Sequence, residues 1–200
     1  MELENHSVQL NTGYLSLKYA LDTTAALMLL LLLLPLLLLI ALAVRLESKG
    51  PVIYQQTRVG LGEQPFQIYK FRTMVAQADQ MGPLLTAQND PRITRLGKWL
   101  RRTSLDELPQ LLNILKGEMS FIGPRPEVPP IVADYTPEQR QVFQVRPGLS
   151  GWAQINGRDE LDIPTKLALD LDYIAQVSLA LDLKILLLTP RAVISKRGVN

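Results

Sequence analysis

The hydrophobic pattern divides the chain into two regimes. From Ala25 to Val44 every residue is apolar, and twelve are leucine. Twenty residues at ~1.5 Å per residue make a helix of roughly 30 Å, the hydrocarbon thickness of a bilayer. The run exceeds the ~7–15 apolar residues of a secretory signal, although Ala41-Leu42-Ala43 could mimic its cleavage site. A buried soluble helix would need apolar partners all round, and the remaining chain is small for that. The segment is therefore expected to enter a membrane. Pro35, at its middle, removes a backbone donor and bends a helix. Lys18 precedes the run, and Arg45 and Lys49 follow it, so the positive-inside rule selects no direction. A kinked span and a helix that dips in and returns to the same face both remain open. Asp22 lies just inside the helix, with Lys18 one turn earlier as its expected partner.

Beyond Lys49 the pattern becomes that of a globular domain. Gly50-Pro51 breaks the helix. Residues 52–58 and 66–72 read as two short strands joined through Gly60, Gly62 and Pro65, a pattern that predicts a hairpin. Alternation puts Ile68, Lys70 and Arg72 on one face and sends two cations the same way. Residues 75–90 read as helix and then loop. Residues 92–102 form a basic amphipathic helix, with Ile93, Leu96, Trp99 and Leu100 as its apolar stripe. Its cations suit a solvated face, lipid head groups or a phosphorylated ligand. A further helix is expected over 103–117, capped by Thr103 or Ser104 and ended by Gly117. From Thr165 to Leu188 one or two amphipathic helices follow, interrupted at Pro190.

Composition narrows the chemistry. The 200 residues carry a net charge of +2, no cysteine and one histidine, His6. Disulfide scaffolds and thiolate metal sites are excluded, and a histidine general base is disfavoured. Bulk charge selects no partner, and the basic residues are not interleaved with aromatics as nucleic-acid binding would ask. No Walker A loop, dinucleotide fingerprint or zinc-protease motif is present. Acid–base and nucleophilic work thus falls to carboxylates, lysine or hydroxyls. Asp106 and Glu107 stand in the first turn of the helix over 103–117, a placement the helix dipole favours by itself. Arg125 lies between Pro124 and Pro126, which fix its backbone and suit it to bidentate phosphate or carboxylate recognition. Residues 146–158 form a glycine-rich loop with Arg146 and Arg158 at its ends. Residues 159–182 are acidic, with six carboxylates against one lysine.

In order along the chain stand Lys18 and Asp22, the apolar segment with Pro35, Gly-Pro-Val-Ile-Tyr (50–54), Lys-Phe-Arg-Thr-Met (70–74), Thr-Ser-Leu-Asp-Glu-Leu-Pro-Gln-Leu (103–111), Gly-Glu-Met-Ser-Phe-Ile-Gly-Pro-Arg-Pro (117–126), the loop 146–158, and Ser178 with Asp182-Leu-Lys-Ile. This series, covering roughly residues 15–198, closely resembles the bacterial sugar transferases, the monotopic polyprenyl-phosphate phosphoglycosyl transferases. Its length fits their small form.

The resemblance implies a mostly helical α+β fold. A polar segment (1–14) would precede a re-entrant membrane helix (15–48), kinked at Pro35 and anchored by Lys18 and Asp22. A cytosolic, membrane-associated catalytic domain (49–200) would follow, with a small β-hairpin and amphipathic interfacial helices around a catalytic helix. The implied activity moves a sugar-1-phosphate from a UDP-sugar to polyprenyl (undecaprenyl) phosphate, releasing UMP. It runs by a ping-pong route through a covalent phosphosugar on Asp106 and opens glycoconjugate biosynthesis at the cytosolic face of the bacterial inner membrane. Asp106 would be nucleophile and Glu107 a metal ligand or proton acceptor, with Mg²⁺ held by the pair. Arg101 and Arg125 would contact phosphate, Lys70, Arg72 and Arg158 would serve the same nucleotide-phosphate site, and Asp182 would lie near it. The partners are the UDP-sugar, the polyprenyl phosphate and membrane lipid, with no nucleic acid; a homodimer is left open. In the family a serine usually precedes the turn proline; Leu34 stands there instead and offers no hydroxyl to the turn. The competing reading from another class is a membrane-anchored adaptor without activity.

Overall fold

A computed structural model describes residues 10–78, 81–82, 90–157 and 161–194. One long helix, α1 (Thr12–Glu47), carries the apolar run. Asn11 caps it by accepting the Tyr14 N–H at 3.0 Å. The helix stays helical on both sides of Pro35. It presents one stripe to the rest of the protein: Leu15, Lys18, Asp22 and Ala26, then the half-buried Leu29, Leu30, Leu33 and Leu37, then Ile40 and Val44. Apart from the adjacent Leu29 and Leu30, these positions recur at three- and four-residue steps, so a single helical face is used throughout. Leu17, Leu21, Met28, Leu31, Leu32, Leu38, Leu39, Leu42 and Leu46 point away and are exposed.

The strands β1 (Ile53–Val59) and β2 (Pro65–Phe71) pair antiparallel, with Ile53 opposite Phe71 and Val59 opposite Pro65. Gly62, at φ +60°, makes their connection. Phe66 and Ile68 of β2 pack with Ala26 of α1, while Phe71 packs with Ile40 and Val44. The hairpin therefore packs against α1.

Helix α2 (Arg95–Thr103) begins later than the basic pattern suggests. Asp90 takes both the backbone N–H and the guanidinium of Arg92, and Thr94 caps the helix by accepting the Gly97 N–H at 2.9 Å. Arg92 is thus withdrawn from the basic face.

The single helix expected over 103–117 is absent. Ser104 adopts the left-handed conformation (φ +55°) and closes α2 instead of capping the next helix. A 3₁₀ helix, Leu105–Gln110, follows, and regular α structure resumes only in α3 (Leu111–Leu115). Pro109 has no N–H for the Leu105 carbonyl, which explains why α hydrogen bonding starts after it.

The strands β3 (Ser120–Ile122) and β4 (Gly148–Ser150) form a short parallel pair that the sequence pattern did not reveal. Between them lie α4 (Pro129–Val132) and a 3₁₀ helix, Gln139–Gln144. The glycine-rich loop contains β4 and α5 (Trp152–Asn156). The acidic stretch opens into α6 (Ile163–Gln176), followed by α7 (Leu179–Ile194), which continues through Pro190 rather than stopping there. Of the segment 75–90, only 75–78, 81–82 and 90 are described, and they are turns and coil.

Candidate active site

The 3₁₀ helix places its two acids differently. Asp106 turns inward and is 8 % exposed, whereas Glu107 reaches toward two cations. Lys70 Nζ, from β2, donates to Glu107 Oε1 at 2.7 Å, and Arg125 Nη2 donates to the same oxygen at 3.3 Å. Arg101, in the last turn of α2, adds positive charge near Asp106. Burial, and next the neighbouring Glu107, push the Asp106 carboxyl above its ordinary value; Lys70, Arg101 and Arg125 pull it back. The site is therefore an acid pair poised against three cations in a partly desolvated setting.

Each cation is held by groups that carry no chemistry of their own. Arg101 Nε donates to Thr73 Oγ1 at 2.9 Å, and the Thr94 N–H donates to the Thr73 carbonyl at 3.0 Å. Close approach makes this possible, since a Cβ on Gly97 would lie 2.1 Å from the Thr73 carbonyl oxygen. Asn113, fully buried, fastens α3 to the edge of β2: it accepts the Tyr69 N–H at 3.1 Å and donates to the Gln67 carbonyl at 2.7 Å. Lys70 thus comes from a strand clamped directly to the segment that holds Glu107. The Arg125 loop is tied from both sides. Arg58 donates to the Pro126 carbonyl at 2.9 Å, Val59 N–H to the Glu127 carbonyl at 3.0 Å, and Gly148 N–H to the Pro124 carbonyl at 2.8 Å. Thr73, Asn113 and Arg58 were not singled out from the sequence.

Asp106, Glu107, Lys70, Arg101 and Arg125 converge as expected candidates for one site. Two others do not join them. Arg72 lies beyond the end of β2 and turns to the C-terminus of α1, where it donates to the Ser48 carbonyl at 2.7 Å, to Ser48 Oγ at 2.9 Å and to the Pro51 carbonyl. Because the pleat ends at Phe71, alternation no longer aligns Arg72 with Lys70. Asp182 is also corrected: its oxygens take Lys18 Nζ at 2.6 Å, Tyr14 OH at 2.5 Å and Tyr173 OH at 2.7 Å. It is a buried partner of α1. Lys18 is 4.0 Å from Asp22, so its tight partner is Asp182, while Asp22 accepts from Ser120 Oγ at 2.5 Å. Arg158 lies outside the described residues, and Pro35 lies within α1.

Acids facing fixed cations, on a body carried by an apolar helix, define a membrane-associated site suited to phosphorylated groups. The particular lineage is given by comparison: residues 13–196 match the bacterial sugar transferase family, and the chain belongs to it. It is 44% identical over 184 residues to the uncharacterized sugar transferase EpsL of Bacillus subtilis (strain 168), covering 92% of this chain and 90% of that protein. It is 45% identical over 193 residues to the undecaprenyl-phosphate glucose phosphotransferase of Komagataeibacter xylinus, covering 90% of this chain and 36% of that one. It is 45% identical over 185 residues to the UDP-glucose:undecaprenyl-phosphate glucose-1-phosphate transferase of Escherichia coli (strain K12), covering 86% of this chain and 39% of that one. The chain thus spans well under half the length of these last two relatives.

Proposed function

We propose that this protein transfers a sugar-1-phosphate from a UDP-sugar to undecaprenyl phosphate, forming the lipid-diphosphate-sugar and UMP. The observation that carries this reading is the convergence of Lys70, Arg101 and Arg125 on the Asp106–Glu107 pair, in a chain whose relatives bear names of that activity.

The steps follow from the side chains. An Asp106 carboxylate oxygen attacks the sugar-bearing phosphorus of the donor. The bond from that phosphorus to the bridging oxygen breaks, and UMP leaves with the electron pair. An oxygen of the lipid phosphate then attacks the same phosphorus and displaces Asp106, which is regenerated. A carboxylate needs no general base to act as nucleophile, which suits a chain with one histidine. Lys70, Arg101 and Arg125 neutralise the phosphate oxygens as charge redistributes. Glu107 fixes Lys70 and Arg125 in position for this task.

Asp106 or Glu107 would hold a Mg²⁺, which is usually bound by one or two carboxylates with phosphate oxygens and water. Bound there, Mg²⁺ supplies charge neutralisation at the diphosphate.

For the membrane, the reading is a monotopic protein at the cytosolic face, with α1 entering and leaving the same side. Its support is that both ends of α1 are held by one body. Leu15 packs with Tyr173, Ile174 and Ile185, while Val44 packs with Phe71 and Leu100. The outward leucines of α1, together with exposed Leu183, Leu186 and Leu187 of α7, offer the apolar surface for lipid.

The test is UMP release from UDP-glucose and UDP-N-acetylgalactosamine, with undecaprenyl phosphate and Mg²⁺. Release that requires Asp106 is expected. A folded, membrane-bound wild-type protein that releases no UMP from any UDP-sugar would favour the adaptor reading.

A further inference from the structure

Arg125 also borders a cleft, lined besides by Tyr135, Gln154, Ile163, Lys166 and Asp170, among others. Its polar wall is unusual. Gln154 is only 7 % exposed, yet neither its amide nitrogen nor its amide oxygen has a hydrogen-bond partner among the described residues. Asp170 is 5 % exposed, and its Oδ1 is likewise unpartnered among them. Such groups are costly to bury unpaired, and native proteins seldom keep several together without something to pair them.

The chemistry of the wall restricts that something. Gln154 offers a donor and an acceptor side by side. Burial pushes the Asp170 carboxyl up to about 7, although the Arg125 backbone N–H lowers it in part, so near neutrality about half of it is protonated and can donate as well. The ring of Tyr135 and the side chains of Ile163 and Leu167 form apolar flanks. No residue of α1 lines the cleft. An isoprenoid chain would leave every one of the polar groups unpaired. A flat ring with a carbonyl, N–H, carbonyl edge would satisfy them, its faces against the apolar flanks. Arg125 belongs both to this cleft and to the acid pair, so a ligand seated here is joined to the reacting centre.

We infer that this cleft is the uracil subsite of the nucleotide donor, with Gln154 reading the imide edge and Asp170 donating to a ring carbonyl. This rests on the transferase reading above, but it adds where the base binds and which side chains select it.

The experiment uses the full chain in detergent micelles or nanodiscs and measures UMP and CMP affinities by calorimetry, beside UDP-sugar turnover and Tm. Gln154→Leu should weaken UMP binding at least about tenfold, the loss of one or two hydrogen bonds. Its Tm should hold or rise, because an orphaned buried amide is replaced by an apolar group of similar size. Gln154→Glu should lower the preference for UMP over CMP about tenfold, since a carboxylate repels a ring carbonyl and accepts from the cytosine amine. That ratio is internal to one variant and is independent of how well Gln154→Leu folds. Wild-type UMP affinity in Gln154→Leu with an unaltered ratio in Gln154→Glu overturns the assignment. So does retained UMP affinity with a changed ranking among UDP-sugars, which would make this the sugar subsite. A wild-type protein that turns over while these variants bind UMP normally sinks only the subsite. A wild-type protein without turnover on any UDP-sugar sinks the reading beneath it.

Discussion

Lys18 and Asp182, 164 residues apart, meet at 2.6 Å in a buried site where Tyr14 and Tyr173 also donate to the carboxylate. This contact fixes the start of the membrane helix to α7. Removing one partner leaves an uncompensated buried charge, which typically costs about 3–5 kcal/mol. Lys18→Met and Asp182→Leu should each lower Tm sharply and reduce membrane-fraction yield. The double variant should recover much of the loss. A Tm in Lys18→Met equal to wild type would show that the pair contributes nothing to holding α1.

The same tie, with the contacts at Val44, predicts topology. The chain holds no cysteine, so introduced ones report alone. Thr12→Cys and Lys49→Cys, both exposed and flanking the apolar run, should react with a membrane-impermeant maleimide from the same side of sealed vesicles. Pro35→Ala should shift part of the population toward a span. Labelling of the two positions from opposite sides in the wild-type protein would contradict a re-entrant helix.

Lys70 and Arg72 stand two residues apart but should separate cleanly in assay. Lys70 faces Glu107, whereas Arg72 closes the end of α1 through Ser48 and Pro51. Lys70→Met should lower turnover about 10²–10³-fold, as loss of a fixed charge at a developing charge does, with Tm nearly unchanged. Arg72→Met leaves several carbonyl and hydroxyl acceptors unpaired and should cost about 2 kcal/mol or more in stability, with turnover per folded molecule preserved. Kinetics and thermal unfolding on both variants check the distinction; a reversed pattern would move Arg72 into the site.

Activity should also report the raised Asp106 carboxyl. The nucleophile is the ionised form, so kcat/KM falls as pH drops through its pKa in the free enzyme. Burial and the Glu107 charge both raise that value, so the acid limb should lie above the ordinary carboxylate range. Glu107→Gln removes the like charge and leaves the cations, and should move the limb toward lower pH whatever its effect on the plateau. A pH profile of both proteins measures this. A limb unmoved by Glu107→Gln would separate the two titrations.

What the sequence made legible was local. The apolar run, the hairpin and the basic helix each announce themselves by periodicity, and the motif order identified the family. What it hid depended on long-range geometry or on one backbone angle. Ser104 in the left-handed region and Pro109 together turned an expected helix into a 3₁₀ segment, which sets how Asp106 and Glu107 diverge. Asp182 resembled a site acid by its position in the series, yet Lys18 claims it from the other end of the chain. Asn113, Arg58 and Thr73 act by holding backbone or a neighbouring cation tens of residues away, and no local spacing marks such a role. Gln154 and Asp170 became conspicuous only once their burial was known.

In the proposed cycle Asp106 carries the phosphosugar between donor and lipid. Incubating the full-length protein with a UDP-sugar it turns over and Mg²⁺, with undecaprenyl phosphate withheld, tests this by intact-mass and peptide mass spectrometry. A covalent route gives up to one equivalent of UMP, a mass gain of one sugar-phosphate on the peptide that contains Asp106, and loss of that adduct when the lipid is added. No UMP and no adduct until the lipid arrives, in a preparation that then turns over fully, would contradict it.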